Sequence, residues 1–266
     1  MFRGICIAAL LLLAWLSAPA SPDIPATTAP STRPQGPITG KVQISSLWNL
    51  HKPDLAHVVV YLASNPVLDA VPCAVNAAEV AQRDKAFVPR FLVIARATTV
   101  DFPNWDHFDH NVFSRSKAAP AFDLDRYAYG MSKSRQFQSA GVIQVFCNIH
   151  PEMRAIIFVT PNPFFTRVDT DGNFTIPGVP SGEYDLVVWN DRCKQQQQHI
   201  SVGADQTPSL SFTLEEDRQS ILTFDPPQKN SYSVERGLNA KQQRLDLPVV
   251  QEAHPAPQPP PPPDSQ

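Results

Sequence analysis

The chain has 266 residues, with 22 Lys and Arg against 25 Asp and Glu and a formal net charge of −3. Neither the balance nor a pI near 6.1 leaves room for the basic surface that nucleic-acid binding needs, so that class is set aside. After a removable leader and two Pro-rich ends, about 190 residues are left for folded structure, enough for two small domains.

Residues 1–20 have the three parts of a secretory signal: Arg3, an uncharged apolar run over 5–16, and Ala18-Pro19-Ala20 at the cleavage position. Twelve apolar residues are too few to span a bilayer, so the expectation is an exported protein, periplasmic or extracellular, with no membrane span. Residues 21–36 read as a Pro/Thr/Ser-rich linker and 217–266 as a flexible tail ending in the run 259–263 of five prolines.

Between these ends the pattern is all-β. Short apolar runs fall at 41–44, 57–62, 87–95, 98–102, 139–146, 155–160, 173–176, 184–189, 199–202 and 209–214, separated by Pro, Gly, Asn and Asp. That spacing predicts sandwiches or barrels. Only 74–83 (AVNAAEVAQR) reads as helical.

The chemistry concentrates after the run ending at Phe146. Cys147, His150 and Met153 share one seven-residue loop, and His110 lies 37 positions upstream. A thiolate, two imidazoles and a thioether are the donor types of a blue-copper centre, in which a His₂Cys plane carries a weak axial Met. Half of a structural zinc site is the competing reading of Cys-x₂-His, but Met153 is a poor zinc ligand. His107 and His110 form His-x-x-His, yet Pro103 and Asn104 argue against a helix there, so His107 is read as solvated.

Residues 80–160 resemble the cupredoxins, with an amicyanin-like ligand loop. The matching pieces are Phe87-Val88-Pro89, Thr99-Val100-Asp101-Phe102-Pro103-Asn104, His110-Asn111, Gly141-Val142 and Cys147-x₂-His150-x₂-Met153. The resemblance implies a Greek-key β-sandwich and one type 1 copper, with His110, Cys147 and His150 equatorial and Met153 axial. It also implies that Asn111 hydrogen-bonds the Cys loop. Ala97 departs from the family, which usually has Gly in that turn.

Residues 168–174 (VDTDGNF) and 179–186 (VPSGEYDL) resemble the transthyretin-like, carboxypeptidase regulatory-like domain. Asp171-Gly172 supplies a tight turn. The twelfth position from Asp169 is Pro180 where a calcium loop needs Glu, so a turn is preferred over an ion site. Gly40-Lys41-Val42 and 58–62 look like the first half of the same pattern.

The expected domains are therefore an N-terminal β segment at 37–66, a cupredoxin at 78–161 and a transthyretin-like unit at 162–216. Either the cupredoxin is inserted into that unit or the early strands edge the cupredoxin; insertion is favoured. In an exported protein, Cys73 and Cys193 are expected to form a disulfide, the alternative being two buried thiols.

The functional expectation is a carrier of single electrons between redox partners, such as a c-type cytochrome or a periplasmic dehydrogenase, and not an enzyme. No His-x-His pair is present to build a further copper site. Alternatives are a copper chaperone, for which Met131 and Met153 are few, or an adhesion module with structural copper.

Overall fold

A computed structural model describes residues 35–45, 55–73, 77–203, 209–217 and 251–256. The expected leader, most of the expected linker and most of the expected tail lie outside the described residues. Among the described residues, no helix is long and apolar enough to cross a membrane.

The chain begins with β1 (Gln35–Ser45) and β2 (Val59–Leu62), then makes one helical turn, α1 (Pro66–Asp69). The Asn65 side chain caps that turn by accepting from the Val67 N–H. The expected helix at 74–83 does not form where the chain is described. Ala78–Glu79 (β3) and Ala81–Arg83 (β4) are strands. The reason is long-range pairing: β4 closes a hairpin with β5 (Ala86–Val88) through Asp84 and Lys85, at φ 53° and 57°. Two successive left-handed residues match the twist of flanking strands, which a ten-residue helix with little apolar periodicity does not outcompete.

Next come β6 (Phe91–Ala95), β7 (Thr98–Pro103), β8 (His110–Ser114), β9 (Phe122–Tyr127), β10 (Met131–Phe137), β11 (Gly141–Phe146) and β12 (Arg154–Thr160). One sheet has the order β6-β12-β11-β8-β9, and β10-β7-β3 forms the other. Phe87, Phe102, Val112, Leu124, Ile143 and Ile157 fill the space around them. The remaining strands are β13 (Phe165–Arg167), β14 (Asn173–Pro180), β15 (Gly182–Trp189), β16 (Gln196–Val202), β17 (Ser209–Glu215) and β18 (Gln251–Pro255).

Strand pairing interleaves the two sandwiches. β1 lies between β14, antiparallel, and β17, parallel. β2 lies between β13 and β15. The chain thus leaves the second sandwich after β2, builds the first one, and returns at β13. Ile38, Val42, Val60, Leu186 and Phe212 share the second core. Gly172, at φ +84°, turns the chain against β1; a Cβ there would stand 2.1 Å from the Val42 carbonyl oxygen, so only glycine fits.

The two bodies are packed through opposite faces of the same strands. On β12, Ala155, Ile157 and Val159 point into the first core while Ile156 and Phe158 point out. On β2, Val60 and Leu62 enter the second core, joined by Val58 just before the strand, while Val59 faces Phe91, Ile156 and Phe158. Trp189 completes the junction, with its ring 4.7 Å from Phe158 and stacked on Phe91 at 6.1 Å. Asn162 adds a buried polar tie, donating to the Leu62 carbonyl at 3.1 Å and to Asp69 at 3.2 Å.

Three expectations are corrected. The segment 251–255, assigned to a flexible tail, is a strand on the β10 edge, because an edge strand offers unpaired backbone groups. Gln35 and Gly36, assigned to the linker, are the start of β1, paired with Pro180 and Val179. Cys73 and Cys193 are free thiols rather than a disulfide. Cys193 is packed in the second core, where burial pushes its thiol up to about 12. Cys73 sits half-buried after α1, beside Arg96 and Asp69.

Ala97 is strained in the way its departure from Gly implies. The β6–β7 turn holds it at φ +65°, with its N–H on the Phe137 carbonyl at 2.7 Å. A side chain there costs about 1 kcal/mol relative to glycine. Ala97→Gly is therefore expected to stabilise the protein by about 1 kcal/mol, read as a higher urea midpoint at unchanged slope. An unchanged or lower midpoint would mean that the turn tolerates the Cβ.

Candidate metal centre

His110 opens β8, Cys147 directly follows β11, and Met153 directly precedes β12. Antiparallel pairing of Phe146 with Arg154 therefore closes the seven-residue loop from both ends. Inside it the Cys147 N–H donates to the Met153 carbonyl at 3.3 Å, and the Met153 N–H to the His150 carbonyl at 3.0 Å. Alternation along β11 turns Ile143, Val145 and Cys147 inward, into the apolar core.

The donors converge. His110 is fully buried, and Cys147 and Met153 are 2% and 1% exposed. His150 alone among the four is partly open to solvent. Cys147 Sγ lies 3.8 Å from His110 Nδ1, and the Nδ1 atoms of His110 and His150 face each other at 3.1 Å. The three donor atoms all lie within 4.8 Å of one another. Among the described residues this is the one such group of His, Cys and acidic side chains.

The electrostatics prepare the thiol to be a ligand. Burial works to raise its pKa, but the His110 bond and the backbone N–H groups of Asn111, His150 and Ile149 hold it below the ordinary thiol value. A soft metal needs the thiolate, so a site that already favours it has less to lose on loading. His110 is shifted up despite burial, because Cys147 and Asp106 face its two nitrogens. His150 is shifted down by partial burial and by the neighbouring His110.

Asp106 is the residue that sequence reasoning missed. Its Oδ2 meets His110 Nε2 at 2.8 Å, which leaves Nδ1 free to face Cys147. The carboxylate is itself fixed by the Asp84 and Lys85 N–H groups, at 2.6 and 2.8 Å. Those bonds outweigh burial and hold the Asp106 carboxyl below its usual range. A carboxylate behind a ligating imidazole fixes its tautomer and orientation. The available signal was Asn104-x-Asp106: Asn104 Oδ1 accepts the Asp106 N–H at 2.9 Å, the local turn that such pairs favour.

Asn111 Oδ1 accepts the Asn148 N–H at 2.8 Å, joining β8 to the Cys loop. His107 is exposed and takes no part, its ring lying 4.5 Å from Tyr129.

The residues fit copper. A thiolate and two imidazoles aimed at one point, with the buried Met153 thioether in the same loop, are soft and borderline donors. Zinc fits less well, because the nearby carboxylate, Asp106, is already engaged with His110 and two backbone N–H groups.

Residues 154–215 match the carboxypeptidase regulatory-like domain. No curated protein matches the chain. Among solved structures, amicyanin from Paracoccus versutus is 25% identical, with a TM-score of 0.30, over 38% of this chain and 96% of its own. A purple cupredoxin from Nitrosopumilus maritimus is 22% identical, with a TM-score of 0.29, over 31% and 99%. A copper-containing nitrite reductase from Thermus scotoductus is 26% identical, with a TM-score of 0.30, over 32% of this chain but 22% of its own. The chain thus joins a segment similar to the carboxypeptidase regulatory-like domain to a sandwich that carries the clustered His110, Cys147 and His150 donors and the buried Met153.

Proposed function

We propose that the protein is an exported type 1 copper protein that carries single electrons between redox partners. One observation carries this reading: a buried thiol on a loop closed by paired strands has its sulfur grouped with two facing imidazole nitrogens, all three donor atoms within 4.8 Å of one another. Copper, when bound, supplies a one-electron couple between two oxidation states that prefer different geometries. The chain's part is to hold one compromise arrangement, which the β8, β11 and β12 framework and the Asp106 and Asn111 contacts do.

His150 is the way in and out for the electron. It is the exposed edge of the donor set, and Phe108, 54% exposed, lies 6.4 Å from its ring. An exposed aromatic beside a partly open ligand suits brief docking to a small redox protein, a c-type cytochrome or a periplasmic dehydrogenase. The absence of His-x-His pairs from the sequence favours a carrier over a catalyst.

The test is the absorption and EPR spectrum of the Cu(II)-loaded protein, followed by mixing with a reduced small cytochrome. An intense visible band, narrow copper hyperfine splitting and rapid, reversible bleaching are expected. A colourless copper protein would sink the assignment, and a blue one that no cytochrome reduces would sink electron carriage.

Met153→Gln provides a finer check. A thioether favours Cu(I) more than an amide oxygen does, so the variant should keep its colour and show a lower reduction potential. An unchanged potential, with a shift on substituting Met131 instead, would reassign the axial ligand.

A further inference from the structure

We propose that the outer edge of β10 is a strand-docking site, held by the chain's own segment 251–256, whose occupancy is passed by hydrogen bonds to His110. β10 is paired on one side with β7, from Ser132 opposite Pro103 to Phe137 opposite Thr98. On the other side β18 is antiparallel, with Met131 opposite Pro255, Ser132 opposite His254 and Ser134 opposite Gln251. Without β18 that side of β10 would present a bare backbone edge. The edge carries small polar side chains: Ser132 and Ser134 are 0% and 1% exposed, and the buried Ser132 hydroxyl has no hydrogen-bond partner among the described residues. Ser134 bonds Asp101 and makes a long contact, 3.5 Å, to His254 Nε2.

The connection to the metal centre runs through backbone and two short side chains. The Ala256 N–H donates to the Gly130 carbonyl at 2.9 Å, and the Gly130 N–H to the Asn104 carbonyl at 2.8 Å. The Asn104 N–H returns to the Met131 carbonyl at 2.9 Å. Asn104 Oδ1 then accepts from Asp106, whose carboxylate meets His110 Nε2. A seated strand thus pins the Gly130–Met131 turn, which clamps Asn104, which sets the turn that aims Asp106. Only the last step, the consequence at His110, rests on the copper reading.

The docked sequence is suited to stop at one strand. Pro255 has no N–H, and Pro257 follows two residues later, so the outer edge of β18 is a poor template for another chain. The strand is also covalently joined through residues 218–250, which makes docking intramolecular and favours it over the strand of a second copy.

The experiment compares the full chain with one ending at residue 250, first without metal. Amide exchange at residues 131–134, Asn104 and Asp106 is expected to quicken about tenfold or more on truncation and to slow again when a peptide of residues 247–257 is added. Ala256→Pro in the full chain, which removes the N–H that bonds Gly130 and leaves the rest of the segment in place, should reproduce the Asn104 and Asp106 effect even if the truncated chain self-associates. Copper-loaded truncated protein should lose metal to a chelator about tenfold faster, the scale of an outer-contact loss. Unchanged exchange in both variants would overturn the docking site. Faster exchange with an unchanged rate of copper loss would overturn its link to His110. If the full chain shows no blue band, the copper reading fails while the metal-free exchange result stands by itself.

Discussion

Cys147→Ser is expected to abolish the visible band of the copper-loaded protein completely. The band requires a sulfur-to-copper transition that a hydroxyl oxygen does not supply, while His110, His150 and Met153 remain to hold some metal. The fold should survive, because the substitution is nearly isosteric, although the core exchanges a thiol for a hydroxyl. The surrounding N–H groups of Asn111, Ile149 and His150 then face a neutral oxygen instead of a thiolate. Titration with Cu(II), followed by absorption and by metal analysis, separates loss of colour from loss of copper. A band that persists in the variant would place the chromophore elsewhere.

Phe158→Ala carries the largest expected cost in stability, about 3–5 kcal/mol on the usual scale for a buried aromatic. The side chain is 4% exposed and belongs to neither sandwich interior. It meets Trp189 at 4.7 Å and Tyr61 at 5.4 Å, across the junction between the two bodies. The variant should therefore lower the melting temperature by roughly 10 °C, taking 2–4 °C per kcal/mol for a chain of this size. It should also separate the unfolding of the sandwiches into two transitions. A loss under 1 kcal/mol, in a single unchanged transition, would show that the junction adds little.

The four donors were legible because their chemistry is written in residue type and short spacing, and a loop closed by two apolar strands keeps such spacing meaningful. The second sandwich was legible in Asp171-Gly172 and Gly182, whose turns are local. What escaped was set by distance along the chain. Asp106 acts through a turn that also receives N–H groups from Asp84 and Lys85, and nothing near Asp106 announces them. Ala78–Arg83 has local preferences that suit a helix, yet a parallel pairing of Ala78 with Val100 and a hairpin decide otherwise. The strand at 251–255 is the extreme case, since its pairing is with β10 and its composition alone reads as tail. The expected disulfide rested on cysteine parity, which carries no information on where Cys73 and Cys193 stand.

The interleaved pairing of β1 also dictates the order in which the protein can be born. Synthesised before its partners, Thr39 must wait for Asn173–Pro180 on one side and for Ser209 on the other before either edge is satisfied. The intervening sandwich has all its principal strands between β3 and β12 and can condense in the meantime. The scaffold of the donor set is thus complete before the sandwich that flanks it in the sequence, and β1 spends that interval unpaired. Contacts so far apart in sequence form slowly. During folding, the vulnerable step is the closure of a sheet around its own oldest strand, after the His110, Cys147 and His150 framework has already taken shape.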